Sequence, residues 1–122
     1  DYLLNRNLYC VNNIDYYFDA IEFIRKKIDN AHFFIFSDDM EWAREEINIT
    51  NATFVEANCK QNFENDMFLM SKCKHNIIAN STFSWWGAWL NQNSKKIIVA
   101  PKSWISTIDC LDDLYPKEWV RL

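Results

Sequence analysis

Apolar residues recur along this chain in two rhythms, one helical and one of short continuous runs. From Ile14 they fall at Tyr17, Phe18, Ile21, Ile24 and Ile28, which predicts an amphipathic helix with Lys26 and Lys27 near its end. Asn13 or Asp15 is placed to cap it. His32 to Phe36 is an aromatic and β-branched run, expected as a buried strand that stops at Ser37-Asp38-Asp39. Met40 to Ile47 then looks helical, and Thr53 to Glu56 is a weaker strand between asparagine-rich turns. Phe63, Met67, Met70 and Lys74 share one face of a helix expected to begin near Asn65-Asp66. Lys96 to Ala100 is a further buried strand, ended by Pro101. Residues 1–12 read as an extended leading segment, 102–116 as loop, and Glu118-Trp119-Val120 as a last helix.

The richest stretch runs from His75 to Leu90. Ile77 to Ala79 is short and apolar, as a buried strand is. Asn80-Ser81-Thr82 breaks it, and Phe83, Trp86 and Leu90 then follow at helical steps. All three residues of the polar cluster are good N-cap types, so a helix begins within it. A strand that turns through hydroxyls into a helix leaves backbone N–H groups pointing outward, a ready anion site. The alternative is that the hydroxyls cap a core helix and nothing more.

Strands and helices alternate with short connections, and the strands are apolar on both faces. That pattern predicts an α/β fold with a doubly wound, mostly parallel sheet and helices on both faces. Ligands of such sheets bind outside the carboxyl ends of the strands, where Ser37-Asp38-Asp39 and Asn80-Ser81-Thr82 both lie. The two clusters are expected to face one crevice.

Composition narrows the chemistry. The 122 residues suit one domain, and 49% of them are apolar, enough for a real core. A net charge of −4 without a basic stripe argues against a nucleic-acid surface. No apolar run has the length of a membrane span, and no signal-peptide pattern opens the chain. The abrupt start at Asp1 reads as a piece of something longer. Cys10, Cys59, Cys73 and Cys110 are scattered, which is no disulfide framework. Cys73-Lys74-His75 is at most half a metal site, so inert thiols are the expectation and no metal is assigned. Of three Asn-x-Ser/Thr sites, at Asn48, Asn51 and Asn80, the last would put a glycan inside the expected anion site, which favours a compartment without N-glycosylation. A single glycine, Gly87, excludes a Walker A loop and a glycine-rich dinucleotide fingerprint. Close packing of its helix on a strand is its expected role.

The run Asn80-Ser81-Thr82-Phe83-Ser84-Trp85-Trp86-Gly87-Ala88-Trp89-Leu90 resembles the signature of α-1,2-fucosyltransferases, glycosyltransferase family 11. Asp66 to Asn76, Phe36-Ser37-Asp38-Asp39 and Ala100-Pro101-Lys102 resemble the same family, and Asp1-Tyr2 looks like the tail of its His-x-Arg-Arg-Gly-Asp-Tyr motif. The resemblance implies a two-domain GT-B enzyme, with residues 1–122 as its C-terminal, Rossmann-like, GDP-fucose-binding part. It implies transfer of fucose with inversion to the 2-hydroxyl of a galactose-containing glycan, with no cofactor and no obligatory metal. Ser81, Thr82 and the N–H groups of Phe83 and Ser84 would meet the diphosphate. Asp66 would accept from guanine, with a favourable anion in a helix's first turn as the alternative. Asp38 and Asp39 would orient the ribose or the basic motif, unless they form a solvated turn.

Asp1 is the acid of the basic motif that this sequence retains, and it is the catalytic candidate; its histidine and arginines would precede residue 1, so these residues alone are not expected to catalyse. Richness in Asn, Lys and Ile points to a bacterial cytoplasmic enzyme, compatible with peripheral membrane association, or to the Golgi lumen if the source is eukaryotic. The competing expectation from another class is an inactive α/β nucleotide-binding or interaction module.

Overall fold

The computed structural model describes residues 13–56, 63–104 and 113–122. In chain order they form α1 (Ile14–Arg25), β1 (Phe33–Ile35), α2 (Met40–Glu46), β2 (Ala52–Phe54), α3 (Phe63–Lys72), β3 (Asn76–Ile77), α4 (Thr82–Trp89), β4 (Ile98–Ala100) and β5 (Val120–Arg121). β1 pairs with β2, and β4 lies between β3 and β5; every one of these pairings is parallel. The parallel α/β expectation holds and is compatible with a Rossmann-like domain, but the single doubly wound sheet does not: among the described residues β1–β2 and β3–β4–β5 are two small sheets, with no hydrogen-bonded ladder joining them. The leading segment 1–12 lies outside the described residues.

The three-stranded sheet has a core on each face because successive side chains alternate. Ile78, Ile98 and Ala100 point to the side where Ala88 of α4 packs with Trp104, Tyr115 and Trp119. Val99, with Ile77, Ile97 and Val120, points to the other side, against Ala20 and Ile24 of α1. Helices therefore cover both faces, as the doubly apolar strands require. No helix among the described residues is long and apolar enough to cross a membrane.

Expectations about three elements are also corrected. Residues 118–120 do not form a helix: Val120 and Arg121 pair with Val99 and Ala100. The segment is too short to repay helix nucleation, whereas an open edge of β4 rewards a β-branched residue at once. Second, α3 begins at Phe63, ahead of Asn65-Asp66. Third, the stripe Phe83, Trp86 and Leu90 is not the buried face of α4. Trp86 and Leu90 are each 49% exposed, and Ser84, Gly87 and Ala88 are the buried residues.

The reason lies in a close helix contact. A Cβ at Gly87 would sit 3.0 Å from Met70 Cβ and 3.2 Å from its Cε. Small residues thus let α4 settle against α3, and the large rings turn outward. Gly87 packs tightly as expected, but against a helix and not a strand. Replacing Gly87 by alanine should gain about 1 kcal/mol of helix propensity and lose about 1–3 kcal/mol to overpacking against a Cβ that cannot rotate away. Urea denaturation should show a net loss of about 1 kcal/mol; a stabilised variant would mean that the helices part freely.

Candidate functional site

Two elements set the geometry of the central turn. Asn91 Nδ2 donates to Cys73 O, just past α3, and Met70 of α3 faces Gly87 of α4. The matched pairs 70/87 and 73/91 make α3 and α4 run side by side in one direction. Since α4 starts where β3 ends, both helix N-termini lie toward the carboxyl end of β3.

At that end Ser81 occupies the N-cap of α4 with extended dihedrals (φ −134°, ψ 128°), yet its side chain makes no capping bond. The first helical bond runs from Trp85 N–H to Ser81 O at 2.9 Å, so the N–H groups of Thr82, Phe83 and Ser84 precede the ladder. Thr82 is exposed and Ser81 half-buried. Ser84 differs: its hydroxyl is buried and donates toward Ala79 O (3.2 Å) and Ser81 O (3.0 Å), tightening the turn from inside. Asn80 is only 8% exposed and donates through Nδ2 to Trp104 O at 3.2 Å. Its Asn-x-Thr site is therefore sterically closed to a glycan, whereas Asn48 and Asn51 are exposed.

At the end of β1, Asp39 caps α2 by accepting from Trp42 N–H at 3.0 Å, and the Ser37 hydroxyl donates to Asp39 O at 2.8 Å. Asp38 is exposed. A cleft of about 1040 Å³ opens between the β1–β2 pair and β3, lined by Phe33, Ile35, Ile77, Ser37, Ala79 and Ser84 among others. Ser37 and the residues flanking the Asn80–Thr82 turn thus share one cleft. Asp66 is half-buried in the first turn of α3. Asp1, Cys10, Cys59 and Cys110 lie outside the described residues.

At the opposite end of β3, polar groups are committed to each other. Asn91 Nδ2 donates to Asn76 Oδ1 (2.7 Å), Asn76 Nδ2 to Met70 O (2.8 Å), and Asn93 Nδ2 to Lys74 O (2.9 Å). The Lys96 ammonium reaches Asn91 O at 2.6 Å. His75 Nδ1 accepts from Ile97 N–H at 3.0 Å, which fixes the neutral ring with its proton on Nε2. Burial, with Lys74 nearby, holds this imidazole below its ordinary value of 6.5. Burial pushes the Cys73 thiol up, and its Sγ faces Leu69 O at 3.5 Å. Cys73 and His75 are therefore structural, and among the described residues no group of three His, Cys, Asp or Glu is gathered for a metal. Sequence reasoning missed this network; the signal was the run Asn91-Gln92-Asn93 beside a strand.

Fold and site together define, among the described residues, a parallel α/β domain in which the opening N–H groups of α4 lie at the carboxyl end of β3. The family model described as glycosyl transferase family 11 matches residues 1–122, and the chain belongs to that family. It is 41% identical to an α-1,2-colitosyltransferase of Escherichia coli over 88% of this chain and 38% of that protein. It is 43% identical to the O-antigen biosynthesis glycosyltransferase WbnK of Escherichia coli, over 87% of this chain and 36% of that one. A galactoside α-(1,2)-fucosyltransferase 1 of Ateles belzebuth is 32% identical over 66% of the chain and 22% of its own length. The chain thus spans less than two fifths of these relatives. No solved structure matches it.

His75 gives a pH test. Its folded value lies below 6.5, so between the two values the unfolded state binds the extra proton and stability rises with pH. The melting temperature should fall as pH is lowered from about 7.5 through about 6. His75→Gln, whose amide oxygen can still accept from Ile97, should flatten that slope. Parallel profiles for the two proteins would remove His75 from the account.

Proposed function

We propose that this chain is the donor-binding part of a GT-B fucosyltransferase, holding GDP-fucose at the carboxyl end of its sheet. The complete enzyme would transfer fucose with inversion to the 2-hydroxyl of a galactose-containing glycan, without an obligatory metal. The observation that carries this is the open N-terminus of α4: Ser81 stands in the capping position and does not cap. Breaking the fucose–phosphate bond builds negative charge on the GDP oxygens, and fixed donors aimed at that charge lower the barrier. The N–H groups of Thr82, Phe83 and Ser84, with the Ser81 and Thr82 hydroxyls, supply such donors. The Ser84 hydroxyl is spent locally, so Ser84 contributes through its backbone.

Asp66 is assigned to guanine, whose N1–H and amino group a carboxylate can receive together. Asp39 serves through the cap of α2, leaving Asp38 for the ribose or a basic group. Asp1 keeps its assignment as an acid of the basic motif. A colitosyl donor is the second reading, favoured by the 41% identity to the α-1,2-colitosyltransferase; assaying full-length enzyme with both donors separates them.

The turn is tested in full-length enzyme by Ser81→Ala/Thr82→Ala. Because Ser81 makes no capping bond, stability should change by less than about 0.5 kcal/mol. kcat and kcat/KM for GDP-fucose should fall together, by about tenfold or more, if the contact is made to the developing charge. Normal kinetics with a stability loss of about 1 kcal/mol would reduce the turn to a cap. Asp66→Asn should weaken GDP binding by about 1–3 kcal/mol, because its amide NH₂ opposes the guanine donors. Unchanged affinity by calorimetry would take Asp66 out of the site.

A further inference from the structure

Pro101 interrupts the sheet at a position where the ladder calls for a donor. In the register Asn76–Ile98 and Ile77–Val99, Ile78 N–H goes to Val99 O at 2.9 Å. The next bond of a parallel ladder would run from the N–H of residue 101 to Ile78 O. Proline has none, so that carbonyl loses its strand partner. The replacement comes from α1. The Tyr16 hydroxyl donates to Ile78 O at 2.7 Å and reaches Val99 O at 3.2 Å. One phenolic proton therefore spans the carbonyl just past β3 and that of the central residue of β4. Ile78 and Val99 are both 0% exposed, so water is a poor substitute there. Burial also raises the phenol above its ordinary value of 10.0, and it remains a donor at any working pH.

Two residues after Ile78 the chain enters the Asn80–Thr82 turn. Among the bonds that hold the turn are those at Ile78 O by Tyr16, at Trp104 O by Asn80, and at Ala79 O and Ser81 O by Ser84. None of these uses the N–H groups that open α4. A ladder bond missing at residue 101 frees the strands to part just where the turn begins, so the clamp at Ile78 decides where α4 starts and points.

We infer that Tyr16 is a positioning residue: by standing in for the N–H that Pro101 lacks, it fixes the ends of β3 and β4 and aims the opening N–H groups of α4 at the donor's diphosphate. The inference rests on the proposed role of that turn. Tyr16 needs no contact with substrate to act this way.

The test is Tyr16→Phe in the full-length enzyme, which keeps the ring and removes the bridging proton. GDP affinity and kcat/KM for GDP-fucose should both fall by roughly tenfold, a scale set by slight misplacement of reacting groups, while KM for the glycan acceptor stays unchanged. In Tyr16→Phe/Pro101→Ala, residue 101 regains an N–H for Ile78 O, and most of the donor-side loss should be recovered. A Tyr16→Phe enzyme that melts earlier but keeps wild-type GDP affinity and donor kinetics would make Tyr16 a mere filler and overturn the inference. If the single variant does not fold, the double variant decides. Restored folding with normal donor kinetics supports the stand-in, and restored folding with depressed kinetics overturns it. Normal kinetics in Ser81→Ala/Thr82→Ala would instead sink the role of the turn itself, which separates the two failures.

Discussion

The buried contact between Asn76 and Asn91 is what the rest of the site depends on. Their amides are 7% and 3% exposed, and a buried amide left unpaired costs on the order of 1–3 kcal/mol. Here the bonds run from the segment after α4 to the start of β3 and on to the end of α3. Three elements are thereby locked at one end of the sheet, with Lys96 and His75 closing the same region. The opposite end is built the other way. There Ser81 does not cap, three helical N–H groups precede the ladder, and Ile78 O, which Pro101 cannot serve, depends on the Tyr16 hydroxyl. Polar satisfaction is thus distributed unevenly along the sheet, and the rigid end permits the open one.

Much of the fold was legible because its strands are short β-branched or aromatic runs and its helices carry apolar steps. Phe33–Ile35, Ile77 and Ile98–Ala100 fall where the pattern puts them, although β1 is not the buried strand expected, since Phe34 is 53% exposed, and Asn13 accepts from Asp15 N–H at the start of α1 as a capping residue would. What escaped the pattern was tertiary. Val120 and Arg121 are strand only because β4 offers an edge. The periodicity of Phe83, Trp86 and Leu90 named a helix but chose the wrong face, since Gly87 and Ala88 fit against Met70 where a ring would not.

The candidate turn was legible as a strand-to-helix junction and less so in its bonding. Hydroxyl-rich Asn80-Ser81-Thr82 announced a helix start, but capping and anion binding need the same residues and differ only in whether the hydroxyl is already spent. Geometry separates members that looked alike in sequence: Ser84 and Asp39 are committed to backbone, while Ser81 is not. Tyr16 carried no signal of its own. Its role becomes visible only when Pro101 is seen to end β4 beside a carbonyl that still needs a proton.

With one glycine in 122 residues, this sequence carries no glycine-rich loop to wrap around a phosphate, and the proposed function draws on a helix start instead. Helix-start donors are useful only if they do not reorient when charge develops, because reorganisation would cancel the gain. Under the proposed function, that requirement accounts for where the glycine is. At Gly87 it permits the 3.0 Å approach of α4 to Met70, which pins the helix along its length, while Asn91 pins its end and Ser84 its beginning. The one glycine thus stands inside a helix and not in a loop, and what it contributes is close packing of α4 on α3.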